Sequence, residues 1–510
     1  TDAITLLVSR VTSIYDAAEL FGLAKLSGHP VVYAKNSALF LRSNAARKPN
    51  VVAHSVFQLE RCFKHLVIEG YLDAHSTFPP MLARPNPETE LARLMEVRVT
   101  QLPLGSYPLT DLDPVKFDQF MDFDMDGDFL SFIDDRAISP GGRHAGSFWF
   151  GGSDEPRRLL EKTIKSKDID IPALVHRLRR GEFTPDELIV ELNQKEREFK
   201  MGARCYGKLH FNVRMFMVVC TYNMKKFEKK YVPQLTMAIG ESQTRRRLDR
   251  LAKVQSDNEC RVEVDFSSWN GRWCDITTGP CARIMNDIFG LPGVFSQLNK
   301  FFFRATLMIT DKHTLPPGAT PDLPVWEWPE SDILWRRQHR GGVEGLGQDF
   351  WSVCTVAMMM YCFMDSNVSG KVAGQGDNHI FALTFDTSRE PMRPQLSRLL
   401  TGMEIRSAAL NHEVKPEECI DSRTVITYSK ELFVNGNHVP YCLKFAARSF
   451  RREDSETPSL SRDVAAVFSN TLACTDNLNE PIDAVRWKAF QFVSLLRSRH
   501  RSRLYAPEKP

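Results

Sequence analysis

The feature that most restricts this chain is an acidic turn at the mouth of a strand pattern. Gly374-Gln375-Gly376-Asp377-Asn378 is a tight-turn sequence, and the β-rich run from His379 to Phe385 follows it directly. A hairpin carrying a carboxylate at its tip is the predicted outcome. In Val262-Glu263-Val264-Asp265-Phe266 the apolar residues alternate with two carboxylates, which puts Asp265 on the face opposite Val264. Phe350, Val353, Cys354, Ala357, Met360, Tyr361 and Met364 recur at helical spacing, so an amphipathic helix is expected directly after Gly341-Gly342. Thr184-Pro185-Asp186-Glu187 combines an N-cap, a first-turn proline and a capping-box glutamate, which predicts a helix running toward Lys200. A mixed α+β protein follows.

Size and composition narrow the class. At 510 residues the chain has room for about three domains. With 43% hydrophobic and 25% charged residues it is neither disordered nor fibrous. A net charge of +3 announces no nucleic-acid partner, so any basic surface must be local. The eleven cysteines form no C-x-x-C pair and are expected as free, mostly buried thiols in a reducing compartment. The apolar stretch from Trp351 to Met364 falls short of the ~20 residues a bilayer requires. The chain begins at Thr1 without a signal peptide and is expected to be a soluble intracellular piece, cut from a longer polypeptide. No internal repeat is visible. The prolines from Pro316 to Pro329 predict a long surface loop, and the charged stretch Arg451 to Pro458 introduces a C-terminal helical piece.

Three pieces become informative together. Asp265 and Asp377 are predicted at neighbouring strand ends, beside the loop Gly341-Gly342-Val343-Glu344-Gly345. Two-metal phosphoryl transfer needs such carboxylates, because the ions must sit roughly 4 Å apart on rigidly held oxygens. Glycines let a backbone approach a nucleotide or template closely. Singly, each signal is weak: an Asp at a strand end is usually structural, and Gly-Asp-Asn is usually only a turn. Lys195, Arg197, Lys200, Arg204 and Lys208 form the densest basic cluster. On the predicted helix Arg197, Lys200 and Arg204 share one face, suited to a triphosphate; Glu196 and Glu198 leave a solvated face as the alternative. The run Asp122-x-Asp124-x-Asp126-Gly127-Asp128 is not a calcium loop, since its twelfth position is Ile133 rather than a bidentate glutamate.

The order of Lys195-Glu196-Arg197-Glu198-Phe199-Lys200, Asp265 to Asn270, Gly341 to Leu346 and Gln375 to Asn378 resembles motifs F, A, B and C of a known family. This is the polymerase domain of the large (L) protein of nonsegmented negative-strand RNA viruses. Glu413 to Glu418, Tyr428-Ser429-Lys430 and Gly436 to Pro440 are similar to motifs D and E; Gly28-His29-Pro30 and Asp134 to Pro140 extend the resemblance upstream. It implies a right-hand polymerase with fingers, a palm built on a small antiparallel sheet, and part of a thumb. The corresponding division is residues 1–250 for the N-terminal and fingers region, 251–445 for the palm and 446–510 for a helical C-terminal piece.

The resemblance implies RNA-directed RNA polymerase activity. Asp265 and Asp377 would hold two Mg²⁺, with Mn²⁺ as a substitute, and Asn378 would sit near the metals or primer end. Lys415 would protonate pyrophosphate. Lys195, Arg197, Lys200, Arg204 and Asn270 would bind the nucleotide, while Gly341, Gly342, Glu344, Gly345 and Gly376 would shape the template side. The implied partners are RNA template and product, ribonucleoside triphosphates, a phosphoprotein and nucleoprotein-coated RNA, without a membrane. The implied location is host cytoplasm and virion, or the nucleus in some lineages. The sequence departs from the family at His379 (usually Gln), Gly347 (commonly Arg), Cys419-Ile420 (commonly Thr-Trp) and Arg136 (commonly Lys). Strand alternation leaves the His379 ring two orientations, toward the metals or toward Phe381 and Leu383. A genome-integrated, inactive RNA-binding remnant is the competing reading. A reverse transcriptase is disfavoured because it usually carries two adjacent aspartates at the tip.

Overall fold

A computed structural model describes residues 9–13, 16, 17, 20, 33–97, 99–126, 136–151, 156–166, 169–194, 202–311, 313–364, 366, 368–428, 431–439, 460–475 and 481–501. The chain forms two compact units. The larger comprises Pro30–Leu251 and Gln255–Ser422; the smaller comprises Thr1–His29, Ala252–Val254 and Arg423–Pro510.

In the larger unit, helices α1 (Ala34–Ala45) and α2 (Ala53–His75) precede strands β1 (Ile189–Gln194) and β2 (Cys205–Leu209). Helix α3 (Phe211–Tyr231) leads toward β3 (Glu259–Val264) and α4 (Asp275–Ile288). Strands β4 (Thr306–Ile309) and β5 (Leu334–Arg336) come before α5 (Gln348–Phe363), the hairpin β6 (Val368–Gln375) and β7 (Asn378–Phe385), helix α6 (Met392–Ala408) and β8 (Ile420–Ser422). One four-stranded sheet runs β2-β1-β4-β5, with β1 and β4 parallel. The other runs β8-β3-β7-β6 and is antiparallel throughout. The smaller unit holds the antiparallel sheet Val425–Tyr428, Glu431–Val434 and Asn437–Val439, and the helices Leu460–Thr475 and Pro481–Arg501. The mixed α+β class is as the sequence indicates.

Helix α5 is buried on nearly every side, from Asp349 through Met359, where an amphipathic helix was expected. It packs against α2, α3, α6 and β6, so it has no solvent face to keep polar. The helix predicted from Thr184 toward Lys200 is a correction of another kind. The capping box forms: Thr184 N–H donates to Glu187 Oε2 at 2.9 Å and Glu187 N–H to Thr184 Oγ1 at 3.4 Å. It closes one turn only, because Leu188-Ile189-Val190 is drawn into the sheet between β2 and β4. Tertiary pairing of β-branched residues outweighs a local cap. Arg204 therefore precedes a strand, while Lys195, Arg197 and Lys200 lie outside the described residues.

Among the described residues eight cysteines are buried and Cys419 is half-buried. Among the described residues no helix is long and apolar enough to cross a membrane.

The glycine loop is packed tightly. A Cβ on Gly341 would lie 1.9 Å from the Gly271 carbonyl oxygen, and one on Gly342 would lie 1.8 Å from the Trp351 ring. What these glycines admit here is the protein's own backbone and indole. Gly342→Ala is expected to lose about 1–3 kcal/mol of stability, as overpacked cores do. Denaturant unfolding would register it as a lower midpoint at unchanged m-value; a wild-type midpoint would contradict the packing described.

Candidate functional site

Strands β3 and β7 bring the two aspartates together. Their ladder pairs Glu263 with Ile380 and Val264 with His379, so Asp265 leaves β3 where β7 begins. In the β6–β7 hairpin Gln375 pairs with Asn378, which leaves Gly376-Asp377 as a two-residue turn. Gly376 takes φ +60°, a conformation that glycine adopts at no steric cost. On the far side of Asp265, Phe266 bridges Val414, and the Lys415 N–H donates to the Asp265 carbonyl at 3.0 Å. That backbone bond delivers the Lys415 ammonium to Asp265 Oδ1 at 2.7 Å and to Glu418 Oε2 at 2.9 Å. The Asn378 amide donates to Asp377 Oδ1 at 3.2 Å.

The electrostatics follow from this crowding. Burial pushes the Asp265 carboxyl up to about 6; the Lys415 bond opposes the rise and the Asp377 charge adds to it. Burial also raises Asp377, with Lys415 and Arg204 pulling the other way. Burial works against the Lys415 ammonium, but its bonds to Asp265 and Glu418 win and its pKa is raised. Two hard oxygen ligands, one buried and one half-buried, favour a cation that neutralises them. Mg²⁺ typically uses one or two carboxylates plus substrate phosphates, so this donor set fits it. Among the described residues no group of three or more His, Cys, Asp or Glu forms a self-sufficient metal cage.

The remaining candidates fall around this pair. Arg204 lies near enough to act on Asp377. Glu344 bridges Tyr206 of β2, so the strand that follows Arg204 runs against the glycine loop. Gly345 takes φ +85° with open space about it. The Asn270 carbonyl accepts from Gly342 N–H at 2.8 Å, and the Asn270 side-chain oxygen is buried without a partner among the described residues.

His379 takes the second of its two orientations. It is fully buried, its ring lies against Gly374, and it stacks on Phe381 at 6.5 Å between centroids. Burial lowers its pKa to about 4. It therefore stays neutral across a polymerase assay range. His379→Gln should leave the shape of the pH–rate profile unchanged between pH 6 and 8; a limb that disappears in the variant would contradict the burial.

Two residues that sequence reading passed over hold the site from behind. Ser352 Oγ accepts the Gly376 N–H at 3.2 Å and donates to the Gln348 carbonyl at 2.8 Å. Thr355 Oγ1 accepts Trp269 Nε1–H at 3.0 Å and donates to the Trp351 carbonyl at 2.8 Å. Hydroxyls at i and i+3 in an otherwise apolar helix were the available signal. Arg272 pairs with Glu413, tying the segment after Asp265 to the one bearing Lys415.

Comparison with known proteins adds to this geometry. The sequence model of the family described as Mononegavirales RNA dependent RNA polymerase matches residues 2–508. The chain is 22% identical over 479 residues to the RNA-directed RNA polymerase L of lettuce big-vein associated virus, covering 90% of this chain and 23% of that protein. Against the same-named protein of lettuce necrotic yellows virus it is 23% identical over 506 residues, covering 92% and 24%. Against that of human parainfluenza 3 virus it is 21% identical over 535 residues, covering 90% and 24%. The chain spans about a quarter of the length of these curated relatives.

Proposed function

The chain belongs to the Mononegavirales RNA-dependent RNA polymerase family, and from that premise we propose that it is the RNA-synthesising core of a larger L-type polymerase. The reaction is template-directed addition of ribonucleoside triphosphates to an RNA 3′-end, with release of pyrophosphate. The observation that carries this reading is the pairing of a buried carboxylate, Asp265, with a half-buried one, Asp377, where adjacent strands end and begin, with Lys415 on the first of them. In this reading residues 1–250 supply the N-terminal and fingers region, 251–445 the palm, and 446–510 a helical C-terminal piece that is thumb-like or the start of a linker.

Two divalent cations on Asp265 and Asp377 would activate the 3′-hydroxyl and neutralise charge on the departing pyrophosphate. The protein's own groups do the rest. Lys415 Nζ, kept protonated by its carboxylate neighbours, donates a proton to the pyrophosphate oxygen. Arg204, on the Asp377 side, gives forked contacts to the triphosphate, joined by Lys195, Arg197 and Lys200. By the family resemblance Asn270 would hydrogen-bond the ribose 2′-hydroxyl, the group that separates RNA from DNA building blocks. Gly341, Gly342, Glu344 and Gly345 set the loop over which the template passes. Phosphoprotein and nucleoprotein-coated RNA are the partners the family resemblance suggests.

Primer extension with the full-length polypeptide tests the assignment. Incorporation of only the nucleotide complementary to the template, with one pyrophosphate released per addition, is expected. RNA binding without any incorporation would make the chain an inactive remnant instead.

A further inference from the structure

Helix α5 meets both aspartate-bearing segments through two hydroxyls on one face. Ser352 and Thr355 stand at i and i+3, and both are fully buried. Each spends its own proton on a helix carbonyl one turn back, Gln348 for Ser352 and Trp351 for Thr355. That leaves the oxygen lone pairs to accept from outside the helix. Ser352 takes the N–H of Gly376, the residue before Asp377. Thr355 takes the indole N–H of Trp269, four residues after Asp265. The same chemistry is thus used twice, one turn apart, once for each carboxylate-bearing segment.

We propose that Ser352 and Thr355 are positioning residues that set the separation between Asp265 and Asp377, and so the capacity of the pair to hold two divalent cations. The inference rests on the metal reading given above and adds to it a role for the helix that follows the glycine loop. The residues touch neither substrate nor metal. Their effect passes through the Gly376 amide and the Trp269 ring. Helix α5 starts at Gln348, directly after Gly347, whose φ of +73° forms its N-cap. A shift of the glycine loop therefore moves the rack on which both carboxylate segments hang.

Several other contacts hold the hairpin without duplicating this one. Thr236 N–H and Oγ1 both donate to the Gly374 carbonyl, at 3.0 and 3.3 Å, and the Gly374 N–H donates to the Gln234 carbonyl at 3.0 Å. These bonds fix β6 below the turn. Among the described residues the Gly376 N–H itself donates to Ser352 Oγ. Met237 Sδ lies 3.3 Å from the same hydroxyl and competes with Gln348 for its proton, not for the lone pair that Gly376 uses.

The test is Mn²⁺ affinity of the full-length polypeptide, read by electron paramagnetic resonance, together with nucleotide-addition kinetics. Mutating the groups that orient metal ligands typically costs about 10–100-fold in metal affinity or activity. Ser352→Ala and Thr355→Val should each weaken Mn²⁺ about tenfold and lower kcat, with nucleotide KM unchanged. Thr355→Ser, which keeps the oxygen, should restore both. If Ser352→Ala does not fold, Ser352→Cys replaces the acceptor with a weak one and should show the same weakening. Wild-type Mn²⁺ affinity in the folded hydroxyl variants would overturn the inference. Asp377→Ala run alongside separates the two failures. If it loses Mn²⁺ while the hydroxyl variants do not, only the positioning role falls. If it binds Mn²⁺ like wild type, the metal reading falls and takes the positioning role with it.

Discussion

Asp377→Ala is expected to lower nucleotide addition by the full-length polypeptide by roughly three orders of magnitude or more, while leaving RNA binding largely intact. A metal at such a site contributes several kcal/mol of charge stabilisation in the transition state, and each 1.36 kcal/mol is tenfold in rate. The fold should tolerate the change. Burial already disfavours the charged form of Asp377, and alanine removes that unfavourable burial together with the Asn378 contact at 3.2 Å. The two-residue turn depends on Gly376 for its positive φ, not on the aspartate. Loss of RNA binding in step with loss of rate would point to misfolding or to a template role. Elongation within tenfold of wild type would remove Asp377 from the chemistry.

The second large effect concerns acid. His412 is fully buried between Trp273, 4.2 Å away between centroids, and Phe266 at 5.9 Å, and among the described residues both ring nitrogens lack partners. Burial depresses its pKa to about 3, against 6.5 when the chain is unfolded. The unfolded state then binds a proton that the folded state refuses, so stability falls as pH drops below 6.5. Half-buried Glu69, raised to about 7, and buried Asp265, raised to about 6, act in the opposite direction over part of this window. The difference between wild type and His412→Phe isolates the histidine. Near pH 7 the two should differ by about 1 kcal/mol or less, as volume-conserving core swaps do. By pH 4.5 the variant should be favoured by a further 2–3 kcal/mol or so, at about 1.4 kcal/mol per pH unit. Parallel stability curves across pH 4.5–7 would show that His412 is reachable by protons in the native fold.

Much of the site was legible because it sits where local pattern and tertiary demand agree. The strand ending before Asp265, the turn at Gly376-Asp377 and the helix after Gly347 each carry their own periodicity or turn chemistry. The segment after Thr184 was misread because its capping box is real but short. Pairing of Ile189–Gln194 with strands on either side decided its conformation, and no local signal carries that information. The glycines were read as room for a ligand, whereas Gly341 and Gly342 make room for Gly271 and Trp351, contacts between residues far apart in the chain. His379 could not be oriented from alternation alone; the depth of packing around Gly374 and Phe381 settled it. Ser352 and Thr355 were visible as polar residues in an apolar helix, but their partners come from two other segments.

In the proposed function Asp265 and Asp377 jointly hold the metals of RNA synthesis. Anomalous scattering from Mn²⁺ in the full-length polypeptide with an RNA primer–template and a non-reactive nucleotide tests it most directly. The expected result is two peaks about 4 Å apart, in contact with carboxylate oxygens of both residues, and Lys415 released from Asp265 toward the triphosphate. Mn²⁺ bound at other side chains, with the space between Asp265 and Asp377 holding only the Lys415 ammonium, would contradict it.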